Sequence, residues 1–428
     1  MHSLNLTLDH LTKIEGSAAL DVRVRQGKVE LVRFKITESK RFFTEAMQGK
    51  PIVALPQLLS RICGTCSNAH VLCAIAACEN ALGITPSEQT MKLRDLTMNG
   101  LMIRDHALHL YLFALPDIFN KDAFLDFDEN NPLEHQILHD GFEVKAAGNF
   151  LATLVAGRSV HATYPVVGGF LKFPDHQGVA EALKKLTSAR AAVLRLIEIF
   201  RQAPFVLERE SIFMALIPEK YGFLQGVIRA STGATIPVLE FRHHLEHTVT
   251  PYSQSSGYLY QGKPYMVGAL ARLNLAKDNL SQTTKQSLGT TLDLFPSKNI
   301  FHNNLAQAIE ILQCLDESQD ILSHHVFSPE PVIKKTPQNS VGIGVIEAPR
   351  GTLFHKMEIN ASGLVQSGEI VVPTGQNQVG IEQNIGYLVQ ELIDKKTSKK
   401  QIAHEIEKLI RVYDPCMSCA SHFLKIKW

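Results

Sequence analysis

Four cysteines in two Cys-x-x-Cys pairs, Cys63 with Cys66 and Cys416 with Cys419, are the residues of this chain best suited to chemistry. Thiols three residues apart let a turn or the start of a helix aim both sulfurs at one metal ion. Thiolates favour zinc, nickel and iron, and they must lose their protons to bind. The pairs lie 350 residues apart (416 minus 66), whereas a zinc ribbon closes over roughly 15–20 residues, so the expected site is at the centre of the fold. On spacing alone a structural four-thiolate zinc and a redox or catalytic metal both stay open. A single pair also suits thiol–disulfide exchange, although neither lies in a thioredoxin-like βαβ context. The remaining Cys73, Cys78 and Cys314 fall in apolar, helical-looking surroundings and read as small buried hydrophobes.

The elements that must carry these residues read as a predominantly helical α+β fold, a long helix bundle with small peripheral β-sheets. Apolar residues alternate over 18–36 around Gln26-Gly27-Lys28, which predicts a β-hairpin. After Cys66 the pattern is helical through Ala81 and stops at Gly83. Thr85-Pro86-Ser87-Glu88 reads as a capping box with proline at the first helical position. The helix it starts should run to Leu115, before Pro116, with Arg104, Asp105, His106 and His109 on its buried side. Further helices are expected at about 133–158, 179–203 and 302–325, strands at 341–359 and 369–372, and a last helix over 398–412 that halts at Asp414-Pro415. The expected organisation is one domain over 1–422, with a helical core at about 66–330 and a β-containing part at about 340–422.

Lys and Arg number 43 against 42 acidic residues, so no basic field exists to attract nucleic acid. The longest apolar runs fall far short of the roughly 20 residues of a membrane span, and the first residues lack a secretory pattern. A cytoplasmic protein is expected.

Arg61-Ile62-Cys63-Gly64-Thr65-Cys66 with His70, and Asp414-Pro415-Cys416-Met417-Ser418-Cys419 with His422, together resemble the large subunit of [NiFe] hydrogenases of the bidirectional, cofactor-coupled branch. Ile14-Glu15-Gly16, Arg104-Asp105-His106, Asn303-Asn304-Leu305-Ala306-Gln307, Glu347-Ala348-Pro349-Arg350-Gly351 and Val372-Pro373-Thr374 extend the resemblance along essentially the whole chain. It implies reversible heterolytic cleavage of H2 into two protons and two electrons. Cys63 and Cys416 would be terminal ligands of nickel, and Cys66 and Cys419 would bridge it to an iron holding carbon monoxide and two cyanides. Glu15 would relay protons from a bridging cysteine. Arg350, after Pro349, would lie over the metals beside Asp105 and Asp414, Thr374 would donate to a cyanide, and His70 would hydrogen-bond a cysteine sulfur. Read without the resemblance, Glu15 is a solvated glutamate at a strand start, and His106 and His109 are core histidines.

The resemblance further implies an iron–sulfur small subunit, flavin- and NAD(P)-binding diaphorase-type subunits, nickel-insertion proteins, and a maturation protease that removes 423–428. No Gly-x-Gly-x-x-Gly fingerprint occurs here, so any nicotinamide site belongs to another chain. A Mg2+ or Fe2+ ion near the C-terminus would use His422, but Thr44, with Glu45 beside it, stands where the family has a glutamate, and a hydroxyl is the poorer ligand for a hard cation. The rival readings are an H2 sensor, a structural zinc protein, and a quinone-site relative from respiratory complex I, which generally lacks the four cysteines.

Overall fold

The structure, a computed structural model, describes residues 3–421. The expected hairpin is present: Ala18–Arg25 pairs antiparallel with Lys28–Ile36, and the chain turns through Gln26 and Gly27, with φ of 50° and 76°. Two successive positive-φ residues match the twist of the flanking strands and fix their register. A further strand, Ser3–Leu8, adds to the free edge of Ala18–Arg25. It buries only Leu4 and Leu6, too little alternation to stand out in sequence.

Four long helices pack in a closed ring: Glu88–Ala107 on Pro132–Ala156, that on His176–Arg201, that on His302–His324, and the last back on the first. Asn131 and Asp175 accept backbone N–H groups at the starts of the second and third, the capping their side chains favour. The first two helices touch through Gly148, where an added Cβ would lie 2.6 Å from the Arg104 amide nitrogen. That close approach sets the depth of Arg104 and Asp105, which are buried together with His106 and His109, as their apolar neighbours predict.

The start of Glu88–Ala107 differs from expectation. Ser87, not Thr85, is the cap, its Oγ accepting from the Thr90 amide at 3.0 Å. Pro86 lies before the helix, where it disfavours helical geometry at Thr85. At the other end the chain does not stop before Pro116; it passes through a π-helical turn, Leu108–Ala114, into Leu115–Ile118. There the proline occupies a first turn, where its missing N–H matters least.

The stretch 66–330 is not purely helical. Ser67–Leu82 opens it and ends at Gly83 as expected, but a four-stranded sheet is built from Tyr265–Met266, Ile212–Ile217, Val227–Ala230 and Thr235–Ile236, in that order, and Leu245–Val249 pairs with Ser256–Tyr260. These strands are short, and residues 213–217 are buried throughout, so no period of two marks them. The single strand expected over 341–359 is two, Ser340–Ala348 and Gly351–Ile359, followed by Val365–Val371. The reversal between them falls on Pro349-Arg350 and needs Gly351, whose φ of 128° is closed to other side chains. Helix Pro373–Asp394 was not anticipated, since its first turns are polar and glycine-containing. The last helix, Lys399–Val412, matches expectation and is capped by Ser398 and Gln401. Among the described residues no helix is long and apolar enough to cross a membrane.

Candidate metal centre

Each cysteine sits where regular structure begins or ends. Cys63 is extended and follows the short turn Ser60–Ile62, and Cys66 immediately precedes helix Ser67–Leu82. Cys416 is also extended and pairs in parallel with Glu15, the Met417 amide donating to the Glu15 carbonyl at 3.0 Å. Cys419 lies in the one-turn helix Met417–Ala420. All four sulfurs are buried within 4.8 Å of one another. They pair across the loops, Cys63 with Cys416 at 3.3 Å and Cys66 with Cys419 at 3.1 Å. A disulfide requires about 2.05 Å, so these are free thiols gathered around a common point. Cys73, Cys78 and Cys314 lie elsewhere in the core, as expected.

This arrangement fits a cation. The hydrogen bond from Cys416 holds the Cys63 thiol well below its ordinary range, while burial pushes Cys416 and Cys419 well above it. Without a metal the pocket therefore keeps several protons that a bound cation must displace. Beside the sulfurs a small cavity is walled by Arg350, Leu353, Pro373 and Thr374. Arg350 Nε is buried with no hydrogen-bond partner among the described residues, a donor available to a ligand of the metal.

The guanidinium of Arg350 spans two carboxylates, reaching Asp105 Oδ2 at 2.6 Å and Asp414 Oδ1 at 2.9 Å. The residues named from sequence thus converge from a bundle helix, a strand reversal and the segment before Cys416. Ala348 and Arg350 line the cavity, and between them the Pro349 carbonyl accepts from Arg272 at 3.1 Å. Thr374 Oγ1 accepts from the Cys416 amide at 2.9 Å, which leaves its O–H to donate. His70 Nε2 lies 3.5 Å from Cys419 Sγ, and its Nδ1 lies 3.2 Å from His355 Nε2.

Glu15 is not a solvated glutamate. Its Oε2 lies 3.1 Å from Cys416 Sγ and accepts from the Ser418 amide at 3.1 Å, while Oε1 accepts from Ser418 Oγ at 2.6 Å. Burial first, then the Cys63 sulfur, raise its pKa above the usual carboxylate value. Its partner differs from expectation: the carboxylate faces Cys416, which the resemblance makes a terminal ligand, because the parallel pairing sets Glu15 beside that residue.

Thr44 lies in the short helix Phe43–Ala46 with its hydroxyl buried and without a partner among the described residues, while Glu45 is exposed and accepts from Gln48. His422 and the tail 423–428 lie outside the described residues.

Several supporting residues had no role assigned from sequence. Ser418 orients Glu15. Gln307 donates to Asp414 Oδ2 at 3.1 Å and also meets His109 Nδ1; its segment entered the resemblance without a role. Arg272, fully buried, donates to Glu310, Glu347 and the carbonyls of Ala348 and Pro349. Against burial, which alone would raise it, Arg272 holds Glu310 at about 2.

The family model described as nickel-dependent hydrogenase matches residues 41–137 and 230–422. The chain belongs to the nickel-dependent hydrogenase family. It is 31% identical to sulfhydrogenase 2 subunit alpha of Pyrococcus furiosus over 98% of this chain and 100% of that protein. The NAD-reducing hydrogenase HoxS subunit beta of Cupriavidus necator is 26% identical over 99% of this chain and 95% of its own. Among solved structures, the NAD+-reducing [NiFe]-hydrogenase in the H2-reduced state superposes with a TM-score of 0.88 at 25% identity, covering 99% of this chain and 100% of that one. This hydrogenase chain is a large, catalytic subunit and an oxidoreductase with a four-cysteine metal site. The structural zinc reading falls with that membership.

Proposed function

We propose that this large subunit cleaves and forms H2 at a nickel–iron centre that Cys63, Cys66, Cys416 and Cys419 would hold. The observation that carries the reading is four buried sulfurs within 4.8 Å set between a paired arginine and a carboxyl group in contact with one of them. A nickel–iron centre bound there, its iron carrying carbon monoxide and two cyanides, would supply the acceptor for the two electrons of H2.

The chain's own residues manage the protons and the surroundings. Glu15 Oε2 takes a proton at Cys416 Sγ, and its raised pKa lets it hold and release that proton closer to neutrality than an ordinary carboxylate. Ser418 fixes the orientation of this carboxyl through two hydrogen bonds. Asp105 and Asp414 anchor Arg350, whose Nε–H, without a partner among the described residues, would serve a cyanide nitrogen or the incoming substrate. Thr374 donates to the other cyanide while holding the Cys416 backbone.

Electrons leave to another chain, because among the described residues the four-cysteine group is the only cluster of three or more potential metal ligands. An iron–sulfur small subunit is the partner, with diaphorase-type subunits beyond it; a relative named for reducing NAD supports a soluble nicotinamide acceptor and a cytoplasmic place of work. Residues 1–422 form one domain, nickel-insertion proteins load it, and a protease removes 423–428. Thr44 is a weak substitute for a carboxylate, which makes a Mg2+ or Fe2+ site with His422 the least supported part of this reading.

Infrared spectroscopy of the complex purified with its partners tests the proposal. Bands of metal-bound carbonyl and cyanide are expected, together with nickel in the metal analysis and iron in excess of it, since the iron–sulfur partner adds its own. Mature, active protein without those bands would overturn it.

A further inference from the structure

The two cysteine loops come from opposite ends of the chain, and a metal-free pocket offers them little mutual attachment beyond thiol–thiol contacts and the long His70–Cys419 contact. One side chain outside the ligand set joins them. Arg41 Nη2 donates to the Ile62 carbonyl at 2.7 Å and to the Ser418 carbonyl at 2.7 Å. Each acceptor belongs to the residue immediately before a cysteine, Cys63 in one loop and Cys419 in the other. Nη1 adds a longer contact to the Arg61 carbonyl at 3.5 Å, and the Arg41 amide donates to the Ser421 carbonyl at 2.9 Å.

The acceptors suit a cation. Ile62 ends the turn Ser60–Ile62, and Ser418 lies in the one-turn helix Met417–Ala420. Carbonyls at such ends lack intrahelical partners and carry partial negative charge. Among the described residues, the Ser418 carbonyl receives, besides Arg41, only a long bond from Ser421 Oγ at 3.5 Å. The orientation of these two peptide groups sets where the following Cα–Cβ bonds point, and hence where the Cys63 and Cys419 sulfurs lie.

We propose that Arg41 is a positioning residue, a clasp that holds the C-terminal cysteine loop against the N-terminal one independently of any metal. It acts through the backbone of both loops and touches no sulfur. Because the clasp is metal-independent, its test is separate from the infrared test of the nickel–iron reading.

The experiment is hydrogen exchange, followed by mass spectrometry, on the full-length chain produced without nickel, comparing the parent with Arg41→Met and Arg41→Lys. Loss of charge-assisted hydrogen bonds should accelerate exchange about 10- to 100-fold in the Met variant, in the segments around 63–66 and 416–421 alike. Helices Pro132–Ala156 and His176–Arg201 should exchange as in the parent, and Lys, which keeps a cationic donor, should restore most of the protection. In the nickel-loaded complex the Met variant should also lose metal to a chelator faster than the parent. Unchanged exchange in either loop, an equal rise in the bundle helices, or a Lys variant as fast as Met would overturn the assignment.

Discussion

Replacing Glu15 by glutamine changes little in shape and removes the one property the proposed mechanism needs. In the parent, Oε2 accepts from the Ser418 amide and faces Cys416 Sγ, while Oε1 accepts from Ser418 Oγ. A carboxamide fits the same frame: its oxygen takes the Ser418 N–H, its nitrogen donates to Ser418 Oγ, and the hydroxyl hydrogen rotates away. The change in stability should therefore stay below about 1.5 kcal/mol, and metal content and carbonyl bands should match the parent. The amide cannot accept and release a proton, so exchange between D2 and water should slow by about 10²–10⁴, the usual contribution of a positioned acid–base group. Glu15→Asp withdraws the carboxyl group by about 1.5 Å, one C–C bond, and should fall between the two. The sign of the pH dependence follows from the raised pKa: oxidation of H2 needs the ionised carboxylate, so the rate should climb with pH above the ordinary carboxylate range, and the glutamine variant should lack that limb. Exchange in Glu15→Gln within tenfold of the parent, with metals intact, would refute the role.

Three further outcomes are expected. Arg350→Met leaves two buried carboxylates without their cation, since Asp105 and Asp414 are 0% and 3% exposed; denaturant unfolding should show a loss of about 3–5 kcal/mol, largely recovered when both acids become asparagine. Cys419→Ser should abolish nickel retention in metal analysis, because a hydroxyl is a poor substitute for a bridging thiolate. Burial, then neighbouring Asp95, lift Glu317 to about 8, and burial lifts Asp95 to about 7. The folded chain thus binds more protons than the unfolded one between about pH 4 and 8, and stability contributed there declines as pH rises. Glu317→Gln should gain on the parent between pH 5 and pH 9 in urea titrations, and an equal difference at both would count against this.

What could be read from residues alone follows from how local each signal was. The two cysteine pairs, the hairpin turn at Gln26-Gly27 and the helix ending at Gly83 are written in a few adjacent residues, and they appear as read. Buried Asp105 was signalled by a polar break in an apolar helix face. The partner of Glu15 was not legible, because the parallel pairing that places it beside Cys416 joins residues 401 positions apart. Arg41 acts through contacts with distant segments, and its neighbours in sequence give no hint of them; Gln307 stands in a segment of the resemblance, but its contacts with Asp414 and His109 were not legible there. The strands within 212–266 give little sequence signal because most are too short to show a period and the longest, Ile212–Ile217, is buried from its second residue on, and Ser87 displaces Thr85 because Pro86 acts backward on the residue before it.

The four sulfurs also impose an order in time. Cys63 and Cys416 are separated by 353 positions, so at about 5–20 residues per second the ribosome takes roughly 20–70 s between making the first ligands and the last. Throughout that interval Cys63 and Cys66 have no partners from the far end, and any soft cation they meet can be held by two thiolates only. A four-thiolate site is therefore complete only in the finished polypeptide, once residues 416–419 have joined 63–66.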